Sequence, residues 1–157
     1  MGERARILVV DDDETIRKVL TAILKEKGYK VDTASCGKEA IDKSFKAFYN
    51  MALIDMRLPD MEGTQLLTAL RETTPKMVKI IITGYPSLQN AMAAVNKNAD
   101  AYVLKPVNME NVLQLIDEHL KKQEAARKYA QEKITEFIEA RVEELEEEST
   151  VRSEKRR

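Results

Sequence analysis

The chain contains very little cysteine: Cys36 is the only one in 157 residues. A single thiol cannot form a disulfide within the chain, and it excludes a metal centre built from several thiolates. Disulfides are characteristic of proteins in oxidising compartments. The cysteine content therefore fits a protein of a reducing compartment.

Long apolar runs and an excess of one charge are also missing. The first residues, MGERARILVVDDD, contain no stretch long enough for a signal peptide, and no other segment reaches membrane-spanning length. The 26 lysines and arginines nearly balance the 27 aspartates and glutamates, and the resulting charge of −1 is not typical of a nucleic-acid-binding surface. We therefore expect a cytoplasmic protein that binds neither membranes nor nucleic acid directly.

Glycine and proline are absent from residues 121–157, where ten acidic and ten basic residues cancel. A helix is predicted to begin near Asn108, and no helix-breaking residue follows it for dozens of positions. We therefore predict a domain over residues 4–121 and a helical extension over residues 122–157.

One face of the predicted extension is apolar, and its spacing follows a 3.6-residue period better than a strict heptad. The residues on this face are Ala126, Ala130, Ile134, Phe137, Ile138, Val142 and Leu145. The extension is either a solvated helix that frays at its charged end or a helix that pairs with a partner. We favour a partner, because an isolated helix that exposes Phe137 and Ile138 is marginal in water.

Short apolar stretches alternate with amphipathic ones along the rest of the chain. Strands are predicted at 6–11, 29–35, 51–55, 77–83 and 101–104, and the helices between them include 37–49, 64–73 and 87–97. Gly28 and Asn98 stand where two of the helices end, a position that often has a left-handed backbone. The alternation indicates βαβ units, and hence an α/β fold with a five-stranded parallel sheet covered on both faces.

Reactive side chains follow the ends of four of these strands. The first strand ends in Asp11 and Asp12, the third in Asp55 and the fourth in Thr83, and Lys105 follows the fifth. Because the strands are parallel, their carboxyl ends meet at one edge of the sheet. Clustered carboxylates favour a hard cation such as Mg²⁺, while a lysine and a hydroxyl can hold phosphoryl oxygens. An ionised aspartate can itself accept a phosphoryl group without a general base.

Four segments together resemble the signature blocks of the response-regulator receiver domain of two-component signalling. They are ILVVDDDE, ALIDMRLPDMEG, IIITGY and AYVLKP, and the resemblance covers residues 6 to about 120. It implies a five-stranded (βα)5 fold of the flavodoxin-like, or CheY-like, class with strand order 2-1-3-4-5. The long C-terminal helical extension predicted from the composition of residues 122–157 lies beyond the range of this resemblance.

The resemblance implies a role for each residue of the predicted cluster. Asp55 would be the phospho-acceptor. Asp12 would bind Mg²⁺ directly, Asp11 would do so mostly through water, and Asp55 and the backbone carbonyl of Arg57 would complete the protein ligands. Lys105 would pair with the phosphoryl group.

The resemblance also implies a switch and a set of turns. Thr83 would be the switch hydroxyl, and Tyr102 would be the aromatic side chain that turns inward on activation. Pro59 and Gly63 match the turn after the acceptor, and the Lys105–Pro106 bond is expected to be cis.

Three further residues carry expectations. Asp13 extends the aspartate pair to a triplet, and we interpret it as a helix cap. Arg57 and Tyr85, two positions after Asp55 and Thr83, would restrict the access of water to a phosphorylated Asp55.

Three functional hypotheses remain open at this point. In the first, the chain is a signalling switch and not an enzyme, and it receives a phosphoryl group from a histidine kinase or phosphotransfer protein. It would signal through its α4-β5-α5 face and its C-terminal helix, and it would form a homodimer through the same surfaces. In the second, it is the receiver and linker of a larger regulator or sensor. In the third, it is a haloacid-dehalogenase-like phosphatase, because DDD satisfies the Asp-x-Asp pattern with Asp11 as nucleophile. Phosphatase turnover that survives Asp55→Asn would favour the third.

Overall fold

The computed structural model describes residues 4–84 and 87–156 of the chain. Strands and helices alternate along these residues. The strands are Arg6–Val10 (β1), Lys30–Ala34 (β2), Met51–Asp55 (β3), Val78–Thr83 (β4) and Ala101–Leu104 (β5). The helices are Glu14–Glu26 (α1), Gly37–Lys46 (α2), Gly63–Ala69 (α3), Leu88–Asn96 (α4) and Met109–Lys155 (α5).

The five strands form one parallel sheet in the order β2-β1-β3-β4-β5, which confirms the predicted fold class. Nearly every residue of β1, β3 and β4 is buried, as expected for parallel strands that helices cover on both faces. The register pairs Asp55 with Ile82 and Thr83 with Leu104. The carboxyl ends of the three strands β3, β4 and β5 are therefore nearly level.

Alternate residues of each strand point to opposite faces and supply two apolar layers. On one face, strand residues such as Leu8 and Ile54 pack with residues from α2, α3 and α4. On the other face, strand residues such as Val9 and Leu53 pack with residues from α1 and from the first part of α5. The sheet that carries the predicted site is thus held rigidly between two helical layers.

Several predicted helix ends are confirmed. The Asp13 side chain accepts hydrogen bonds from the backbone N–H groups of Thr15 and Ile16 and caps α1. Gly28 follows α1 with a φ of 97°, and Asn98 follows α4 with a φ of 69°. The Lys105–Pro106 bond is cis, as expected, and so is Thr74–Pro75.

Two predicted helix ends are wrong. The sequence predicts that α2 reaches residue 49, but the helix ends at Lys46, because the backbone of Ala47 is extended. Tyr49 is buried, and its hydroxyl donates a 2.7 Å hydrogen bond to the Asp32 carboxylate. α3 was expected to reach residue 73 but ends at Ala69, and the Lys79 ammonium donates to the Leu67 carbonyl in its last turn. Tertiary contacts, which local sequence does not reveal, decide both ends.

Backbone packing divides the chain into two units, Met1–Lys121 and Lys122–Arg157. The second unit consists of the continuation of α5, so the predicted long C-terminal helix is confirmed. Every residue from Glu124 to Arg156 is exposed. Across the described residues, no helix combines the length and apolar character needed to cross a membrane.

Candidate functional site

Three carboxylates meet at the carboxyl edge of the sheet, as the strand ends predict. Asp11 and Asp12 follow β1, and Asp55 is the last residue of β3. One carboxylate oxygen from each of the three lies within 4.8 Å of the others. Asp11 is buried, Asp55 is partly buried and Asp12 is exposed, so the cluster opens to solvent on the side of Asp12.

Lys105 reaches into this cluster from the end of β5. Its ammonium Nζ lies 3.2 Å from Oδ2 of Asp11 and 3.7 Å from Oδ1 of Asp55. The backbone N–H of Lys105 donates a 2.8 Å hydrogen bond to the Thr83 carbonyl, which fixes the residue beside the end of β4. Lys105 therefore contacts both the buried carboxylate and the predicted acceptor.

The environment of Asp55 disfavours its charged form to some degree. Burial first, and then the neighbouring charge of Asp11, raise the pKa of the Asp55 carboxyl above its ordinary value. Lys105 and the backbone N–H of Arg57 act in the opposite direction. A positive charge brought into the cluster would therefore stabilise the ionised form of Asp55.

The donor set of the cluster fits a hard divalent cation. Three carboxylates face one ammonium group, so an excess of negative charge remains when all of them are ionised. Carboxylate oxygens in a half-open site, with room for water, suit Mg²⁺ better than they suit a softer metal. The acidic cluster is thus capable of holding such an ion.

The loop after β1 is held in place by hydrogen bonds to Asp11. Oδ1 of Asp11 accepts a 2.9 Å hydrogen bond from the backbone N–H of Asp13. The Asp11 carbonyl accepts a 2.7 Å bond from the Arg17 guanidinium on α1. Sequence reasoning missed Arg17, whose only signal is its position one turn into the helix after the aspartates.

The turn after β3 approaches the end of that strand very closely at Gly63. The N–H of Gly63 donates a 2.6 Å hydrogen bond to the Met56 carbonyl. A Cβ atom at this position would lie 2.5 Å from the Asp55 carbonyl oxygen and 3.0 Å from the Met56 Cα. Only glycine allows this contact without a shift of the backbone that carries Asp55.

Asp60, in the same turn, holds the start of α2, a role that the sequence did not reveal. Its carboxylate accepts hydrogen bonds of 2.8 and 2.9 Å from the backbone N–H groups of Gly37 and Lys38, at the start of α2. These bonds hold the pKa of Asp60 below its usual value. Cys36 is the N-cap residue of α2 but makes no side-chain capping bond, so Asp60 satisfies this helix end from a distant turn.

The two predicted switch residues lie on adjacent strands. Thr83 ends β4 and is buried. Tyr102 lies on β5 opposite Ile81 and packs, partly buried, against the apolar layer under α2, α3 and α4. Its hydroxyl is buried and has no hydrogen-bond partner among the described residues.

The role of Arg57 and Tyr85 in restricting the access of water to Asp55 remains a prediction. The Arg57 side chain is exposed, and its backbone bridges to Glu62 across the turn. Tyr85 lies outside the described residues. The predicted role of the Arg57 carbonyl as a metal ligand is likewise a proposal.

An apolar cavity of about 300 Å³ adjoins the charged cluster. Asp11, Asp55 and Lys105 stand at its polar end. Its apolar walls come from strand residues, α1 and the segment after Lys105, and they include Ile16, Val19, Leu20, Pro106 and Val107. Val19 is 49% exposed, so an apolar surface lies close to the predicted acceptor.

The model of the response regulator receiver domain family matches residues 7–117, which include every residue of the cluster. Among curated proteins, the transcriptional regulatory protein ZraR of Klebsiella oxytoca is 32% identical over 119 residues, or 76% of this chain and 27% of ZraR. The uncharacterized transcriptional regulatory protein YkoG of Bacillus subtilis is 32% identical over 111 residues, or 71% of this chain and 49% of YkoG. The chain thus spans about a quarter to a half of the length of these relatives.

Solved structures show the same similarity. A CheY-like receiver domain protein from Methanospirillum hungatei is 44% identical, with a TM-score of 0.76 over 79% of this chain and 99% of that chain. The beryllofluoride-activated NtrC4 receiver domain, solved as a dimer, is 36% identical, with a TM-score of 0.70 over 75% of this chain and 98% of that chain.

The family match favours the receiver hypothesis over the dehalogenase-like phosphatase. The strand order, the aspartate cluster and the lysine after β5 all lie within the matched range. The chain therefore belongs to the response regulator receiver domain family of two-component signalling, which is a family of phospho-acceptor signalling domains and not of classical enzymes.

Proposed function

We propose that Asp55 accepts a phosphoryl group, with Mg²⁺ held by Asp11, Asp12, Asp55 and the backbone carbonyl of Arg57. The observation that carries the proposal is the cluster of three carboxylate oxygens within 4.8 Å, with the Lys105 ammonium 3.7 Å from Asp55. When bound, the metal would neutralise negative charge on the incoming phosphoryl group.

The residues of the chain supply the rest of the chemistry. A carboxylate oxygen of Asp55 attacks phosphorus, a new O–P bond forms, and the P–N bond to the histidine of the donor breaks as the electron pair returns to the imidazole. Lys105 and the Thr83 hydroxyl then hold oxygens of the transferred group, because both stand at adjacent strand ends beside Asp55. The same site would accept a phosphoryl group from a small donor and would slowly lose it to water.

The phosphodonor is a histidine kinase or phosphotransfer protein. The apolar walls beside the acceptor, with Val19 exposed on α1, offer it a docking surface. Phosphorylation would be read out through Thr83 and Tyr102, and then through the face formed by α4, β5 and α5. Met92, Val95 and Leu104 are large apolar side chains on α4 and β5 that are 57%, 68% and 51% exposed, which supports a homodimer contact there.

This chain matches only 27% of the length of ZraR and 49% of that of YkoG. These shares favour a second candidate function, in which this chain is the receiver and linker of a larger regulator. Both candidates share the same chemistry at Asp55. The cytoplasmic location expected from the sequence remains part of either.

Acetyl phosphate with Mg²⁺ tests the acceptor directly. We expect intact-mass spectrometry to show one added phosphoryl group on the wild-type chain and none on Asp55→Asn. Asp13→Asn is the matched control, since it makes the same aspartate-to-asparagine exchange in the nearby DDD run while an asparagine can still cap α1. Undiminished labelling of Asp55→Asn would overturn the assignment.

A second comparison tests the docking surface. Val19→Glu should retain labelling by acetyl phosphate and lose labelling by a phosphorylated histidine kinase. Phe45→Glu is the control, because Phe45 is 61% exposed but lies on α2, on the opposite face of the sheet. Equal kinase labelling of the two variants would contradict a docking surface on α1.

A further inference from the structure

The unit from Lys122 onward carries an apolar stripe whose residues are all exposed. Ile134, Phe137 and Ile138 are 59%, 73% and 55% exposed, and Val142 and Leu145 are about half exposed. Exposing this much apolar surface on one helix is unfavourable in water, so the stripe indicates a partner.

The charges of this unit are arranged in blocks. Residues 122–133 contain four basic and two acidic side chains, whereas residues 136–148 contain seven glutamates and only Arg141 as a basic residue. Residues 152–157 contain four basic residues and one acidic residue. An acidic segment therefore lies between two basic ones.

Charged residues also lie along the middle of the stripe itself. Positions 127, 134, 141 and 148 recur every seven residues and therefore share one face of the helix. They are occupied by Arg127, Ile134, Arg141 and Glu148. The two arginines make ion pairs within their own helix, with Glu124 and Glu144, and all four of these side chains are roughly half exposed.

Two identical helices can form a closed two-fold pair in only two ways, parallel in register or antiparallel. In the parallel pair, each residue on the seam faces its own copy, so that Arg127, Arg141 and Glu148 would each meet a like charge. The two glutamate-rich segments would also lie side by side. Both effects are repulsive.

We propose that the stripe binds a second copy of this chain in antiparallel orientation, with Arg127 of one helix facing Glu148 of the other. In this register Phe137 faces Ile138, and Ala130 faces Leu145. Residues 127–133 of each chain, with three basic side chains and one acidic, then lie opposite residues 142–148 of its partner, which contain five glutamates. The contact places Arg127 beside Glu148 at both ends of a centre in which Arg141 faces Ile134, and it uses no residue of the phosphoryl-acceptor site.

Charge reversal distinguishes this arrangement from a parallel one in the full-length chain. Arg127→Glu alone and Glu148→Arg alone each place like charges opposite one another at two points of an antiparallel pair. Each should raise the dissociation constant of the dimer roughly tenfold in sedimentation velocity experiments. The double variant restores opposite charges and should return the constant to within about twofold of the wild type.

Matched controls lie on the other side of the helix. Lys128→Glu and Glu146→Lys change the net charge by the same amounts at positions about 120° away from the stripe. They should leave the dissociation constant within about twofold of the wild type. A wild-type chain that stays monomeric up to about 0.5 mM, or a double variant that dimerises more weakly than both single variants, would overturn the proposal.

Disulfide formation provides an independent measurement of orientation. In a Cys36→Ser background, Ala130→Cys and Leu145→Cys chains should form a disulfide only when the two variants are mixed. In the antiparallel pair the two copies of position 130 are about 22 Å apart, too far for a bond, whereas 130 and 145 are opposite each other. Efficient disulfide formation within either single variant would show a parallel pair and contradict the proposal.

Discussion

At the scale of single residues, three consecutive aspartates occupy different environments beside the proposed acceptor, Asp55. Asp11, Asp12 and Asp13 follow one another in the chain, yet the structure places only the first two in the carboxylate cluster with Asp55. Asp13 instead accepts hydrogen bonds from Thr15 and Ile16. One residue of separation thus distinguishes a proposed metal ligand, Asp12, from a helix cap, Asp13.

This division leads to opposite effects of two similar substitutions. Asp12→Ala should weaken Mg²⁺ binding sharply, because it removes a carboxylate from the cluster, and should change stability little. Asp13→Ala should weaken Mg²⁺ binding far less but lower the free energy of unfolding by about 1 kcal/mol through the lost cap. Isothermal titration with Mg²⁺ and urea denaturation measure the two effects. A larger loss of Mg²⁺ affinity in Asp13→Ala would show that the aspartates are wrongly assigned.

Gly63 is expected to be intolerant of even one additional carbon atom. Gly63→Ala would place a Cβ 2.5 Å from the Asp55 carbonyl oxygen. We expect the backbone to shift, with a loss of about 1–3 kcal/mol in the free energy of unfolding and slower labelling by acetyl phosphate. Gly84→Ala serves as the control, because its Cβ would meet only Lys105 side-chain atoms at an ordinary 3.8 Å. Equal stability of the two variants would contradict the close-contact argument.

At the scale of helices and strands, long-range contacts determine where elements begin and end. The apolar runs predict where the five strands lie along the chain because these runs are short and bounded, whereas the strand order in the sheet is implied only by the family resemblance. The cap at Asp13 is predicted because it is local. It does not predict that α2 ends before Tyr49, since that end depends on the bond between Tyr49 and Asp32, 17 positions away. Nor does it predict that Asp60 caps α2, since 22 and 23 positions separate the partners.

The connection between β2 and α2 should make stability depend on pH. The Glu39 carboxylate accepts hydrogen bonds from the backbone N–H and the hydroxyl of Ser35, and these lower the pKa of Glu39. A carboxyl group whose pKa is lower in the folded chain than in the unfolded chain stabilises the fold at pH values above its unfolded pKa. This stabilisation is lost as the pH falls through the folded pKa. Glu39→Gln should therefore be less stable than the wild type at pH 7, with a difference that shrinks below about pH 4.5.

Urea denaturation at a series of pH values measures this difference. Glu14→Gln is a suitable control, because its ion pair with Lys18 is largely exposed and should contribute little at any pH. A Glu39→Gln difference that stays constant from pH 7 to pH 4 would contradict the assigned cause.

At the scale of the whole molecule, the two units should have separable functions. All the residues assigned to phosphorylation lie between Asp11 and Lys105, inside the unit that ends at Lys121. The apolar stripe lies in the unit that begins at Lys122. Phosphorylation and the self-association that the stripe provides are therefore expected to respond to different substitutions.

Truncation after Lys122 tests this separation. We expect the shortened chain to accept one phosphoryl group from acetyl phosphate at the wild-type rate, because the acceptor site is intact. We also expect it to lose the self-association that the stripe provides. Light scattering with and without Mg²⁺ and beryllofluoride should show a lower mass than that of the full chain under both conditions. Identical masses would mean that the extension is a passive linker.

The exposed stripe on the second unit has a consequence for how this protein responds inside a cell. If its apolar side chains are covered only by another copy of the chain, the fraction of covered helices follows the law of mass action and rises with the number of molecules present. A change in expression level then alters the state of the extension even when the supply of phosphoryl groups is constant. The abundance of the protein would be a second input signal, added to the one that arrives at Asp55.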